Sequence, residues 1–188
     1  MLNNYNEILY YNQQMQTDRM ILRKFAAEDA ADLLECFNNE NAVKYLYREP
    51  FASIEEARAE IFNKYWAKYN SVFWAAQLKD GGVIGSFDLQ LDFENNCARF
   101  GMALNPKYWG QGYASEGLRR LMVLCFEQLD VNRLDGLHFG GNIASGRVME
   151  KNGMRCEGTA KEASMVKGQL MDDVRYAILK TEYFANKS

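Results

Sequence analysis

The chain has 188 residues, of which 48% are apolar and 13% aromatic, and 22 Lys and Arg against 25 Asp and Glu leave a formal charge of −3. That is enough apolar material for one domain whose core needs neither disulfides nor a structural metal, and too little basic excess for a nucleic-acid surface. The single histidine, His138, excludes multi-His metal sites and leaves any His-based triad resting on one residue.

Residues 1–16 are rich in Asn, Gln and Tyr and lack the basic and apolar regions of a signal peptide. They read as an N-terminal extension, either a loose tail or an added element that packs on a partner, ahead of a single domain over 17–188. No run approaches the roughly 20 apolar residues that span a bilayer, so no membrane partner is expected. Cys36, Cys97, Cys125 and Cys156 form no CxxC pair and read as core thiols of a cytoplasmic protein without a metal.

The first strand candidate is Met20 to Lys24. Glu28 to Asn39 has helical spacing through Ala31, Leu34, Cys36 and Phe37. Ser53 with Glu56 three residues on makes a capping box for a helix that runs to about Lys68. Val72 to Leu78 is β-rich, and Asp80-Gly81 supplies a turn. Val83, Gly85, Phe87, Leu89 and Leu91 then alternate with Ile84, Ser86, Asp88 and Gln90, which predicts one inward and one polar face. After the Glu94-Asn95-Asn96 turn, Cys97 to Leu104 completes an antiparallel meander. Gly112 to Leu129 is a long helix with Ala114, Leu118, Leu121, Met122, Cys125 and Leu129 on one face. Arg133 to Phe139 is a strand, and Asn142 to Asn152 a helix closed by Gly153. Arg155 to Gly158 and Val174 to Lys180 are the last strands. The order implies an α+β fold in which helices cover a mixed sheet.

Two segments carry the chemistry. Asn105-Pro106-Lys107-Tyr108-Trp109-Gly110-Gln111-Gly112-Tyr113-Ala114-Ser115-Glu116 leaves a strand and opens a helix. The first amides of a helix have no intrahelical partner and carry partial positive charge, and glycines let them approach an anion. A glycine turn that merely links strand to helix is the plainer alternative. The nucleotide P-loop ending and the dinucleotide fingerprint are both missing. About thirty residues on lies Asn142-Ile143-Ala144-Ser145-Gly146-Arg147-Val148-Met149-Glu150-Lys151-Asn152-Gly153, where Asn142 either caps a helix or binds a ligand.

Together these segments resemble the GNAT N-acetyltransferase superfamily, in its RimJ/RimL-like branch. Gly112 and Ala114 match the family's Arg/Gln-x-x-Gly-x-Gly/Ala signature, with Trp109 at its basic or amide position. Asn142, Ser145, Glu150, Lys151 and Gly153 match the downstream pattern. Thr17 to Arg23, Gly168 to Asp172 and Tyr176 to Leu179 extend the likeness over about residues 17 to 183. The resemblance implies a mostly antiparallel sheet that splays between the family's fourth and fifth strands. It also implies acetyl-CoA as acyl donor and a primary amine, on a small molecule or a peptide N-terminus, as acceptor. Gly110, Gln111, Gly112, Tyr113, Ala114 and Ser115 would bind the pyrophosphate, and Met102, Ala103 and Leu104 would pair with the pantetheine arm. Asn142 would bond that arm, Ser145 would serve the departing sulfur, and the Leu104 amide would stabilise the oxyanion. Arg147 and Lys151 read equally as phosphate contacts and as solvated charges.

Two familiar catalytic groups are absent. Arg99 replaces a carboxylate of the fourth strand, and Met149 stands where some members place a tyrosine acid. Asp88 and Asp172 are the substitutes, each reading also as a substrate-binding or surface carboxylate, while Arg99 suits an anionic part of the acceptor. His138 reads as structural. Tyr45, Tyr47, Phe51, Tyr65 and Trp66 are candidates for the acceptor wall. The alternative function is a non-catalytic acyl-CoA-binding module, and a homodimer is compatible with the resemblance.

Overall fold

The computed structural model describes residues 3–65 and 71–187. In chain order the elements are α1 (Asn3–Tyr11), β1 (Gln14–Gln16), β2 (Met20–Arg23), α2 (Ala30–Phe37), α3 (Glu40–Val43), α4 (Ile54–Glu60), β3 (Ser71–Leu78), β4 (Val83–Asp92) and β5 (Cys97–Leu104). There follow α5 (Tyr113–Val123), β6 (Arg133–Phe139), α6 (Ile143–Lys151), β7 (Arg155–Val166), β8 (Gln169–Leu179) and α7 (Lys180–Lys187). Five-residue π turns, Ile61–Tyr65 and Leu124–Gln128, prolong α4 and α5. Ser53 caps α4 by accepting from the Glu56 amide, as the sequence predicts. The expected end of that helix at Lys68, and Trp66, lie outside the described residues.

Among the described residues the strands form one sheet in the order β1-β2-β3-β4-β5-β6-β8-β7. Every neighbouring pair is antiparallel except β5 and β6. One face carries Leu22, Phe87, Leu89, Phe100, Leu134 and Ile178 against Leu118, Leu121 and Met122 of α5 and Met149 of α6. The other carries Ala75 and Val83 against Leu33, Cys36 and Phe37 of α2, Val43 of α3 and Ala57 of α4. A sheet covered on both faces explains why β4 is buried at five consecutive positions before its polar alternation starts.

That strand also corrects one expectation. Val83 does not share a face with Phe87. Ala75 pairs with Ser86, but Gln77 pairs with Val83, so β4 holds one extra residue there. The bulge turns Val83 toward α2 and lets Ile84 join Phe87 in the α5-side core. Gly85 makes it feasible. Its φ is 151°, and a Cβ there would lie 2.2 Å from the Ala103 carbonyl oxygen.

The pairing of β5 with β6 stops after three residues, Cys97↔Arg133, Ala98↔Leu134 and Arg99↔Asp135. Yet β5 stays paired with β4 as far as Gly85↔Leu104, and β6 with β8 as far as Phe139↔Asp173. The two strands therefore part, and residues 100–104 form one side of an open wedge. These are the family's fourth and fifth strands once the short β1 is counted, so the expected splay is present.

The residues before Thr17 are tied to the sheet. Met15 is buried, the Trp74 indole donates to the Asn12 carbonyl at 2.9 Å, and Asn12 Nδ2 donates to Gln128 at 2.7 Å. The Cys36 and Cys125 thiols are buried, and burial pushes Cys36 up to about 12. Cys156 corrects the expectation of core thiols, because it is exposed on β7. Among the described residues no helix is long and apolar enough to cross a membrane.

Candidate functional site

The open wedge presents main-chain groups. In an antiparallel pair, alternate residues direct both their N–H and C=O to the partner. The Asn105 amide donates to the Ile84 carbonyl on β4 at 2.8 Å. Counting back by two places the Ala103 groups toward Ser86 of β4. Met102 and Leu104 therefore face the opening, where β6 has already turned away. The Leu104 carbonyl accepts from the Trp109 indole at 2.7 Å, which fixes that half-exposed ring at the end of the wedge.

Beyond Leu104 a 3-10 turn, Pro106–Tyr108, leads to the glycines. Asn105 Oδ1 accepts from the Lys107 amide at 3.0 Å, and Gln111 Nε2 donates to the Lys107 carbonyl at 2.9 Å. Gly110 (φ 72°) and Gly112 (φ 87°) both adopt the left-handed region that favours glycine. A Cβ on Gly110 would meet nothing within 4 Å, so that side of the loop is open. The first intrahelical bond of α5 runs from the Glu116 amide to the Gly112 carbonyl at 3.0 Å. The amides of Tyr113, Ala114 and Ser115 thus precede the helical ladder and head its dipole.

A buried carboxylate holds this loop, and the sequence alone does not reveal it. Glu116 accepts from Thr17 Oγ1 at 2.5 Å, from the Arg19 amide at 2.8 Å and from Arg19 Nε at 2.7 Å. Arg19 also donates to the Gln111 carbonyl at 3.0 Å and stacks 4.1 Å from the Tyr113 ring centre. Burial pushes the Glu116 carboxyl up, but the Thr17 and Arg19 bonds outweigh it and hold the group below its ordinary range.

The α6 segment begins beside the wedge. Asn142 Oδ1 accepts from the Ser145 amide at 3.4 Å, so the capping role is present. Ser145 is half-buried one turn above it. Asn152, at the far end of α6, donates to Ser115 Oγ at 2.8 Å, and Arg119 donates to the same oxygen at 3.0 Å. The Ser115 side chain thereby ties the start of α5 to the end of α6. Met149 is fully buried against Phe100 and Gly136, within the core. His138 is buried under α6, where Nδ1 lies 2.9 Å from the Phe139 carbonyl and its ring faces Tyr176. Burial and Glu150 push the Tyr176 hydroxyl up to about 12.

The opposite sheet face carries the polar candidates. Asp88 lies over Gly101, where a Cβ would fall 2.4 Å from its Oδ1. Arg99 is exposed on the same face two residues along β5. Tyr47 meets Phe139 edge-on at 5.1 Å, and Tyr45 borders Gly141 just before Asn142. Phe51 is buried with α2 and α4, and it belongs to the core. Asp172 does not join this face. It accepts from Lys161 at 2.8 Å and from the Glu162 amide at 3.0 Å, and Lys161 holds it below the ordinary carboxylate range. Its neighbour Asp173, which sequence reasoning passed over, is buried on the Phe139 side. A cavity of about 430 Å³ adjoins Tyr45 between α3 and the β7–β8 turn, with Lys167 3.7 Å from Glu40 and 3.8 Å from Glu49. Among the described residues no three His, Cys, Asp or Glu side chains are grouped to hold a metal ion.

Known proteins bear on this geometry. The family model for the acetyltransferase (GNAT) domain matches residues 19–155. The uncharacterized N-acetyltransferase YoaA of Bacillus subtilis is 29% identical over 172 residues, which cover 88% of this chain and 96% of YoaA. A crystal structure of a GNAT-family acetyltransferase from Bacillus anthracis aligns with a TM-score of 0.80 at 27% identity, covering 89% of this chain and 99% of that one. The spermidine N-acetyltransferase of Vibrio cholerae, solved in complex with CoA and spermine, aligns with a TM-score of 0.74 at 23% identity, covering 88% and 98%.

Proposed function

From the premise that the chain belongs to the GNAT acetyltransferase family, we propose that it transfers an acetyl group from acetyl-CoA to a primary amine by direct attack in a ternary complex. The observation that carries this reading is the wedge between β5 and β6, with the start of α5 at one end and that of α6 beside it. The donor set fits the cofactor. An extended amide arm needs a strand edge, which Met102 and Leu104 supply. A pyrophosphate needs convergent amides, which Gly110 to Ser115 supply with two glycines that leave room for it. The V. cholerae relative holding CoA on the same fold supports the choice.

When bound, acetyl-CoA supplies an acyl group activated as a thioester. The amides of Gln111 to Ser115 hold its pyrophosphate, and Met102 and Leu104 hold its arm. The Leu104 amide donates to the carbonyl oxygen as negative charge develops there. Asn142 orients the arm, and Ser145 donates to the sulfur as the C–S bond breaks. Fixing both reactants in the wedge replaces a bimolecular encounter with a single bound step, which supplies much of the acceleration. Arg99 and Met149 accept no proton here, so the amine loses its proton to water or to a carboxylate of the acceptor face.

Thiol release from acetyl-CoA, measured with a panel of primary amines, tests the reaction. Turnover that depends on the amine supports it. Absence of any thermal shift with acetyl-CoA overturns the cofactor assignment, and binding without turnover on any amine counts against the transfer.

A further inference from the structure

The strand β8 holds a buried carboxylate oxygen with no donor among the described residues. Val174 and Ile178 point to the α5 and α6 side. Asp173, one residue before Val174, therefore points to the opposite face, together with Phe139, its cross-strand partner. Asp173 is only 5% exposed, yet its Oδ1 is buried with no hydrogen-bond partner among the described residues. Its other oxygen has Arg175 at 3.8 Å, beyond hydrogen-bond reach, on a side chain that is itself largely exposed. Buried ionised oxygens are almost always paired in folded proteins, and an orphan calls for a use.

Its place suggests one. The Gly140 amide bonds to the Asp172 carbonyl at 2.8 Å, so Asp173 lies where β6 ends and the turn to Asn142 begins. That turn leads to Ser145, which stands at the reacting end of the wedge in the proposed function. Phe139, the cross-strand partner of Asp173, meets Tyr47 edge-on, and aromatic faces favour cations. We infer that Asp173 Oδ1 receives the N–H groups of the acceptor, and that the acceptor is a cationic primary amine. This rests on the acetyl-transfer reading. Arg175 balances one carboxylate oxygen and leaves the other for the substrate. A neutral amine would gain less at this oxygen, because charge-assisted hydrogen bonds are roughly twice as strong as neutral ones.

The test uses the full-length protein and Asp173→Asn. Acetyl-CoA affinity is measured by calorimetry. Steady-state acetylation is measured with spermidine, putrescine and n-butylamine, all cationic at pH 7, and with aniline, which is neutral. The expected result is an at least roughly tenfold rise in KM for the cationic amines, from loss of a charge-assisted bond. Acetyl-CoA affinity stays unchanged. The melting temperature is unchanged or higher, because the substitution takes negative charge from a buried oxygen that lacks a donor. A KM for the amines equal to wild type overturns the assignment, as does acetylation of aniline in preference to the alkylamines. So does a fall in melting temperature accompanied by weaker acetyl-CoA binding, which would mark a structural role. If the wild type binds acetyl-CoA but acetylates no alkylamine, Asp173 is not an acceptor anchor. If it fails to bind acetyl-CoA, the acetyl-transfer reading itself falls, and calorimetry distinguishes the two cases.

Discussion

Replacing Glu116 tests how the glycine loop before α5 is held. Its carboxylate is 5% exposed and accepts three hydrogen bonds, from Thr17 and twice from Arg19. Removing one partner of a buried ion pair costs about 3–5 kcal/mol. Arg19 is 45% exposed, and solvent screens its share, so the lower end applies to Glu116→Ala, about 3 kcal/mol. For a chain of this size that lowers the melting temperature by about 6–12 °C. Glu116→Gln keeps the shape but offers Arg19 a donor, so it falls between. The pH dependence has a definite sign. The folded-state carboxyl is held below its ordinary value, so its stabilisation is present above the unfolded pKa, about 4.3, and is lost as pH falls through the folded value. The gap in melting temperature between wild type and Glu116→Gln should therefore be full at neutral pH and close as the pH falls below that of an ordinary carboxylate. Calorimetric melts across that range supply the measurement, and acetyl-CoA titrations supply the functional arm. Freed from Arg19, the Gln111 carbonyl no longer fixes the loop, and affinity for acetyl-CoA falls. A Glu116→Ala melting temperature within about 2 °C of wild type, less than 1 kcal/mol for this size, would refute the clamp. A gap that stays constant with pH would refute its electrostatic origin.

Gly112→Val forces a β-branched residue to φ 87°, at a cost of about 1–3 kcal/mol, and should reduce acetyl-CoA affinity by calorimetry; unchanged affinity would sink the amide cradle. Gly117→Ala sets a Cβ 2.1 Å from the Phe87 ring, so α5 must lift off the sheet, with an expected loss of about 1–3 kcal/mol in thermal melts. Ser145→Ala should lower kcat by about a hundredfold or less, as for a proton donor acting through water, with acetyl-CoA affinity nearly constant. An unaltered kcat would remove Ser145 from the leaving-group role.

Legibility in the sequence followed the physics of each element. Arg133–Phe139 was readable to the residue because turns bound it and its apolar residues are concentrated. The α5 core face was readable because Leu118, Leu121, Met122 and Cys125 repeat at helical spacing. The β4 bulge was not, since an inserted residue leaves no mark on a local alternation that continues past it. β7 was foreshortened for a similar reason. Apart from the half-buried Ala160 and Ser164, its residues are exposed on both faces as far as Met165, so no period of two exists to be counted. The ties of Asn12 to Trp74 and Gln128 span 62 and 116 residues, far beyond any sequence window. In the site, glycines and caps were visible because they are local, whereas the Glu116 clamp joins residues 97 to 99 apart. Asp172 and Asp173 differ by one strand position. Only the register decides which is bound by Lys161 and which is buried beside Phe139.

The lone histidine then has a physical explanation. His138 is buried beneath α6, against Tyr176 and the Phe139 carbonyl. The groups proposed to act on acetyl-CoA are mainly main-chain amides, whose protonation does not change over physiological pH. Their strength comes from direction, which the β5 edge, two left-handed glycines and the start of α5 impose. The net charge of −3 therefore need not hinder a phosphate-bearing cofactor. Attraction at a helix start is local and falls off within one turn. The long-range field of an acidic chain acts instead on whatever arrives from solution, and it favours cations. A chain that binds an anion by local dipoles and a cationic amine by net charge can hold both without a basic surface. Raising ionic strength would then weaken capture of the amine, which the acidic field attracts, more than that of the phosphate-bearing cofactor, which the same field repels.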